Sequence, residues 1–311
     1  MLLAGDLMRP RIAVLLVLVT VLPVACRSTT TARSVLDDDA ITIGSFGFPE
    51  SELLAELYAV ALERAGYQVD RQPAIGPREL AEPALQRGLI ELLPEYSGSA
   101  LNFFTGQDTA TADPNATHDA LVQAMAPRGI AVLEAAPAQD QNAVGVTMQT
   151  AERLGLRRVS DLAPYADRME FGGPAECPER PLCLLGLRDR YGLEFQGFVP
   201  LDASGPLTRA ALTSGDVQVA LLFTTSPALL DAGLVLLADD RGLQPAENVT
   251  PVVRTETLER FGPGLADAVN AVSRRLTTED LRAMNGEVQD GRPVPEVVAD
   301  WLDRSLPEPG G

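Results

Sequence analysis

Histidine, cysteine and tryptophan are nearly missing from this chain of 311 residues, which has one His, three Cys and one Trp. His118 alone cannot build a His-dependent catalytic triad or a multi-His metal site, and its place among polar residues at the start of a predicted helix suits a solvated side chain. No phosphate-cradling loop occurs, and no Gly-rich fingerprint follows a predicted strand in the order that dinucleotide binding needs. Positive charge is also scarce: 43 acidic residues stand against 25 basic ones, a net charge of −18, with no basic block. Binding to nucleic acid is therefore disfavoured, because neutralising phosphates needs concentrated positive charge. The run Asp37-Asp38-Asp39 lacks the spacing of a calcium loop and reads as solvated charge. Close carboxylate pairs occur by chance in so acidic a chain, so an enzyme has no activated group to rest on. The expectation is a non-enzyme with no cofactor and no metal.

What is present begins at the N-terminus. Arg9 and Arg11 precede an apolar run from Ile12 to Ala25, broken only by Thr20, and Cys26 follows. A helix of that length reaches about 21 Å, short of a bilayer core of roughly 30 Å, so residues 1–25 read as a cleaved secretory signal. Asp6 is out of place in a positive leader, which leaves Met8 as an alternative start to Met1. Leu22, Val24 and Ala25 before Cys26 resemble a bacterial lipobox, with Pro23 where Leu is usual. Cys26 would then be acylated; plain secretory cleavage with a free Cys26 is the alternative. The Thr-, Ser- and Asp-rich residues 26–39 read as a lipidated tether. With Cys26 set aside, Cys177 and Cys183 can close a short disulfide loop in an oxidising compartment, stabilising by about 2 kcal/mol. Two free thiols or a metal pair are the other reading, and no His lies near them.

From residue 40 onward the pattern is that of an α/β protein. A β-type run, Ile41 to Ser45, precedes a helix predicted from Pro49 to Ala65, in which Leu53, Leu54, Leu57, Ala61 and Ala65 recur at helical spacing. Pro49 suits its first turn, Glu50 and Glu52 complement the helix dipole, and Gly66 suits its end. Further strands are predicted at 67–72, 89–93, 130–134, 143–147, 169–171, 217–223 and 234–237. Helices are predicted at 77–86, 98–104, 117–125, 184–191 and 206–214, and the last fifty residues read as almost wholly helical. This alternation favours mainly parallel sheets flanked by helices. The polar, irregular stretch 135–141 reads as a crossover between lobes.

The segment Gly44-Ser45-Phe46-Gly47-Phe48-Pro49-Glu50-Ser51, with Glu56 to Ala59, resembles the opening of the substrate-binding proteins of glycine betaine/choline/carnitine ABC importers. Gly76 to Glu79, Pro83 to Leu85 and Leu93-Pro94-Glu95-Tyr96-Ser97-Gly98-Ser99-Ala100-Leu101 continue the likeness. So do Glu176 to Leu187, Leu201-Asp202, Leu234 to Asp240 and Leu276 to Asn285, in the right order over nearly the whole mature chain. The resemblance implies a two-lobed, type-II periplasmic-binding clamshell, each lobe a mixed, mainly parallel sheet, with residues 40–139 and 250–311 in lobe I and 140–249 in lobe II. It also implies an extracytoplasmic, monomeric receptor that hands a small zwitterionic or cationic solute to the transmembrane subunits of a permease; a non-transport sensor on the same fold is the alternative.

In that family an aromatic cage holds the quaternary ammonium, because ring faces attract a cation that cannot donate ordinary hydrogen bonds. Carried over by position, the cage falls on Tyr96, Asn142, Phe223 and Glu247, so two of its four members are not rings. Arg180 matches an arginine that pairs with the ligand carboxylate. Ser51 falls where a Gln reaches the ligand, and Ser97 and Ser99 where Thr residues do. Tyr96 and Phe223 as core aromatics, and Arg180 as a surface charge, are the bland alternatives. The eroded cage implies a compatible solute that need not be glycine betaine.

Overall fold

The computed structural model describes residues 39–230 and 233–306. The leader, Cys26 and almost all of the tether lie outside the described residues. Among the described residues no helix is long and apolar enough to cross a membrane.

Two five-stranded sheets carry the fold. The first uses β1 (Ala40–Gly44), β2 (Gln68–Gln72), β3 (Leu92–Tyr96), β4 (Ile130–Val132) and β10 (Val249–Arg254), in the order β2-β1-β3-β10-β4. The second uses β5 (Asn142–Thr147), β6 (Glu170–Gly173), β7 (Gly197–Pro200), β8 (Val219–Phe223) and β9 (Leu234–Leu237), in the order β7-β6-β8-β5-β9. Both sheets are mixed, but parallel pairing does not predominate. In the first, β1 pairs parallel with β2 and β3 while β10 runs antiparallel to β3 and β4. In the second, β6 pairs parallel with β7 and β8 while β5 runs antiparallel to β8 and β9. The reason is topological: β5 and β10 each follow a passage between lobes and begin beside the carboxyl end of a neighbouring strand, Asn142 opposite Phe223 of β8 and Val249 opposite Tyr96 of β3, so each runs against it.

The first helix, α1 (Pro49–Arg64), has Pro at its start and Glu50 and Glu52 in its first turn. Its Leu53, Leu54, Leu57, Tyr58 and Leu62 are wholly or almost wholly buried against the first sheet. α2 (Arg78–Gln86), α3 (Ser97–Thr105) and α4 (Pro114–Met125) complete the N-terminal part of this lobe. The second sheet carries α5 (Met148–Leu154), α6 (Leu184–Tyr191) and α7 (Pro206–Ser214). The chain then returns through β10 into α8 (Thr255–Phe261), α9 (Pro263–Ser273), α10 (Thr278–Gln289) and α11 (Val294–Ser305). These pack on the first lobe: Trp301 and Val298 join the core of α1, and Ser273 Oγ lies 3.0 Å from Tyr58 Oη. Burying side chains of this size contributes about 1.5–3 kcal/mol each.

Several boundaries move from expectation. Pro94 was expected to end its strand, yet it lies inside β3 opposite Pro251 of β10. The two residues without an N–H donor share one rung, so the loss is confined there. β7 and α5 carry no clear periodic signal, being only four and seven residues long.

Two passages join the lobes, one just before β5 and one just before β10, and they lie side by side. Gln139 and Asn248 form an antiparallel bridge, and the Asp140 amide donates to the Glu247 carbonyl at 3.1 Å. α10 supplies a further tie: the Arg282 guanidinium donates twice to the Thr224 carbonyl, at 3.0 and 2.7 Å.

Candidate functional site

The cleft between the sheets follows from the strand ends. Tyr96 closes β3, Phe223 closes β8, and Phe48 follows β1, so all three stand at carboxyl ends of strands, where open α/β sheets leave a crevice. A cavity of about 700 Å³ lies there, walled by Phe48, Pro49 and Glu50 of the first lobe, Phe223 and Thr225 of the second, and Asp140 of the crossover. A second cavity of about 450 Å³ shares Phe223 and Ala203 with it and continues to Asn142, Arg180, Cys177 and Cys183. The two make one cleft with Phe223 at the join.

Local hydrogen bonds fix the lobe I wall. Ser45 Oγ accepts the Ala74 amide at 2.9 Å, and the Gly47 amide donates to the Gly76 carbonyl at 3.1 Å. These bonds hold the β1–α1 loop so that Phe48 keeps 39% of its surface exposed, an open ring at the cavity wall. Phe46 stacks behind it at 5.9 Å, and the Arg78 guanidinium lies over Phe46 at 5.2 Å. Arg78 in turn grips the buried Glu95 with Nε and Nη2, at 2.7 and 2.8 Å. The paired fork is the strongest geometry for an arginine and a carboxylate.

Tyr96 stands behind this wall and does not line either cavity. Its ring stacks on Phe48 at 6.1 Å and its hydroxyl donates to Glu50 Oε1 at 2.7 Å. Burial, then the Glu50 carboxylate, keeps the phenol well above its ordinary pKa, so it remains a donor. Asn285 Nδ2 donates to Glu50 Oε2 at 2.6 Å and to the Thr225 carbonyl at 3.3 Å, linking α10, the cleft carboxylate and the second lobe. Thr225 Oγ1 donates to Asp140 Oδ1 at 2.8 Å. Burial raises the pKa of Glu50, and burial and then Glu50 raise that of Asp140.

The residues expected from the sequence divide into two groups. Phe223, Asn142 and Arg180 line the cleft. Asn142 sits opposite Phe223 in the β5–β8 register, and its Nδ2 donates to the Leu182 carbonyl at 3.4 Å. Arg180 is exposed and has no ion-pair partner among the described residues. The Cys177–Cys183 bridge is formed, with both residues 2% exposed, and it holds the loop carrying Arg180.

Ser51, Ser97, Ser99 and Glu247 do not line the cleft cavities. Ser51 is fully buried and its Oγ accepts the Phe46 amide at 2.9 Å, so its hydroxyl braces the β1–α1 loop. Ser97 Oγ donates to the Ala246 carbonyl at 3.1 Å. Ser99 donates to Glu247 from its amide at 2.9 Å and its hydroxyl at 2.8 Å. A carboxylate at the first turn of a helix satisfies its free amides and complements its dipole. Glu247 thus anchors the passage before β10 to α3; burial pushes its pKa up to about 7. Gly98 is required at this contact, because a Cβ there would stand 2.7 Å from the Ala246 carbonyl oxygen.

Sequence reasoning missed Phe48, Asp140, Thr225 and Asn285 as parts of the site, and took Glu50 for a helix-dipole acid only. Phe48 and Glu50 lay within the family-like opening segment, so their signal was present. Asn285 closes the family-like segment Leu276 to Asn285, so it too carried a signal, whereas Asp140 and Thr225 are far apart in sequence and only the lobe crossing brings them together.

His118 has a structural role, its Nε2 lying 2.9 Å from the Leu133 carbonyl. Among the described residues no group of three or more His, Cys, Asp or Glu is placed to hold a metal ion.

Comparison with known proteins agrees with this fold. A glycine-betaine-binding protein of Pseudomonas aeruginosa is 29% identical over 281 residues, covering 87% of this chain and 89% of that one. A crystal structure of a glycine betaine/carnitine/choline ABC transporter protein superposes with a TM-score of 0.79 at 22% identity, over 85% of this chain and 98% of that one. Apo YehZ from Escherichia coli superposes with a TM-score of 0.73 at 24% identity, over 86% and 99% of the two chains. Residues 39–304 match the family described as the substrate binding domain of the ABC-type glycine betaine transport system. The chain belongs to this family of solute-binding proteins, which are transport components and not enzymes.

Proposed function

We propose that this protein is an extracytoplasmic lipoprotein, anchored through Cys26, that captures a small zwitterionic or cationic compatible solute and delivers it as a monomer to the transmembrane subunits of its importer. The observation that carries the reading is the composition of the cleft. Phe48 of one lobe and Phe223 of the other line one cavity together with Glu50 and Asp140, and the adjoining cavity carries Arg180. Ring faces and carboxylates attract a cation, each good ring contact contributing about 0.5–2 kcal/mol, while an arginine fork suits a carboxylate. A dipolar solute would therefore meet complementary charge along the cleft. The relatives named for glycine betaine support the solute class. Hinge closure over the solute would present a changed surface to the permease.

Isothermal titration of the purified protein with glycine betaine, choline, carnitine, proline and ectoine tests the capture step. One of these is expected to bind at micromolar concentration; no binding of any at millimolar concentration would contradict the reading. Accumulation of the bound solute should fall when the gene is deleted, and Cys26→Ser should release the protein from the membrane fraction. Unchanged uptake in the deletion strain would favour a sensor.

A further inference from the structure

Granting that the cleft is the solute site, we propose that Glu50 and Asp140 select a zwitterion whose cationic group carries N–H donors, a primary or secondary ammonium or an amidinium, over its fully N-methylated counterpart. The two carboxylates line the same cavity, whose walls include no arginine. Their neighbours in the fold are donors that hold them in place without neutralising them. Tyr96 Oη and Asn285 Nδ2 donate to Glu50, and Thr225 Oγ1 donates to Asp140.

Tyr96, Asn285 and Thr225 bond to Glu50, and the side chain and backbone of Thr225 bond to Asp140, whereas an ionised carboxylate offers about four acceptor positions, so each retains acceptor capacity. The remaining acceptor capacity points to a donor from the ligand. A trimethylammonium group attracts a carboxylate through charge, yet it cannot donate to these lone pairs and would strip water from them without replacement. A group with N–H bonds supplies the same charge and the missing hydrogen bonds. An independent feature agrees: the cleft positions matching the family's aromatic cage hold only Phe223 as a ring facing the cavity, since Asn142 is an amide, Tyr96 lies behind Phe48, and Glu247 is bound to Ser99. The site has fewer faces for methyl groups and more acceptors. Around the pair, Glu247 adds negative charge to Asp140 and the Tyr96 phenol stays neutral, while the Arg282 guanidinium of α10 is turned to the Thr224 carbonyl; burial raises both carboxyl pKa values, and the charge of Glu50 and then Glu247 raises that of Asp140 further. A bound cation would relieve that repulsion.

Matched pairs on one skeleton test the proposal in calorimetric titrations of the intact protein: proline against N,N-dimethylproline, 4-aminobutyrate against its trimethylammonium form, and ethanolamine against choline. In the pair that binds best, the N–H member is expected to bind at least about tenfold more tightly. Asp140→Asn should remove most of that preference, with Glu50→Gln as a second variant and circular dichroism confirming the fold of each. Equal or tighter binding of the methylated members would overturn the selection while leaving the cleft as the solute site. A preference that persists in both folded variants would assign it elsewhere and overturn the roles of Glu50 and Asp140. Binding by neither series would overturn the capture reading as well.

Discussion

Replacing Glu82 with Gln should stabilise the protein, and by an amount that grows with pH. Glu82 lies on α2 with no exposed surface, no donor from another group reaches its carboxyl oxygens, and its side chain faces the Glu95 carboxylate, to which only the protonated form can hydrogen-bond. Burial, and then the Glu95 carboxylate, push its pKa from 4.5 to about 10. Glu95 itself is held by Arg78, so the shared arginine cannot fully relieve Glu82. In the unfolded chain Glu82 ionises near 4.5, while in the folded protein it stays protonated to about 10. Over that interval the native state binds the extra proton, so this group lowers stability as pH rises. At about 1.4 kcal/mol per unit, its cost grows from near zero at pH 4.5 to about 3 kcal/mol at pH 7. Gln keeps the shape and an amide that can donate to Glu95, and it does not titrate. Denaturant titrations of the wild type and Glu82→Gln at pH 5, 6, 7 and 8 read the difference. The variant should be close to the wild type at pH 5 and more stable by about 3 kcal/mol at pH 7. A difference that is flat across this range, or that favours the wild type at pH 8, would refute the reasoning.

Other consequences are equally open to measurement. Cys177→Ser with Cys183→Ser should lower stability by about 2 kcal/mol in the loop-closure view, and it should weaken solute binding by freeing the loop that carries Arg180; unchanged affinity would remove Arg180 from the site. Phe223→Ala should weaken binding several-fold with circular dichroism unchanged, because the ring lines both cavities. Tyr96→Phe keeps the ring behind Phe48 and removes only the donor to Glu50, so its loss should be smaller than that of Tyr96→Ala; equal losses in calorimetry would argue against the orienting role. Gly98→Ala should destabilise by about 1–3 kcal/mol, read by thermal melting, because its Cβ would press on the Ala246 carbonyl.

The helices and central strands were legible in the sequence because burial imposes a period. α1 shows this well: Leu53, Leu54 and Leu57 recur at helical spacing and all face the core. The run before β3 was read too early because Leu89 and Ile90 are apolar, although Leu89 is 56% exposed and only Leu92 onward pairs in the sheet. Parallel pairing was overestimated because alternation of strands and helices says nothing about the direction in which a returning strand enters. The site was half legible. Phe223, Asn142 and Arg180 were found through motif position, while Ser51, Ser97, Ser99 and Glu247 share the same motifs but have their polar atoms engaged within the fold. A motif marks a neighbourhood, and which member faces the cavity depends on hydrogen bonds made across the chain. Asp140 could be recognised only once the lobe crossing had placed it beside Glu50 and Thr225.

The central claim, that the solute is held between the lobes by the rings and carboxylates of the cleft, is tested most directly by a crystal structure of the protein saturated with its tightest-binding solute. The cationic group is predicted to lie against Phe48 and Phe223 beside Glu50 and Asp140, with any carboxylate directed toward Arg180. A solute bound outside this cleft, or bound within it with its cationic group away from both rings, would contradict the account.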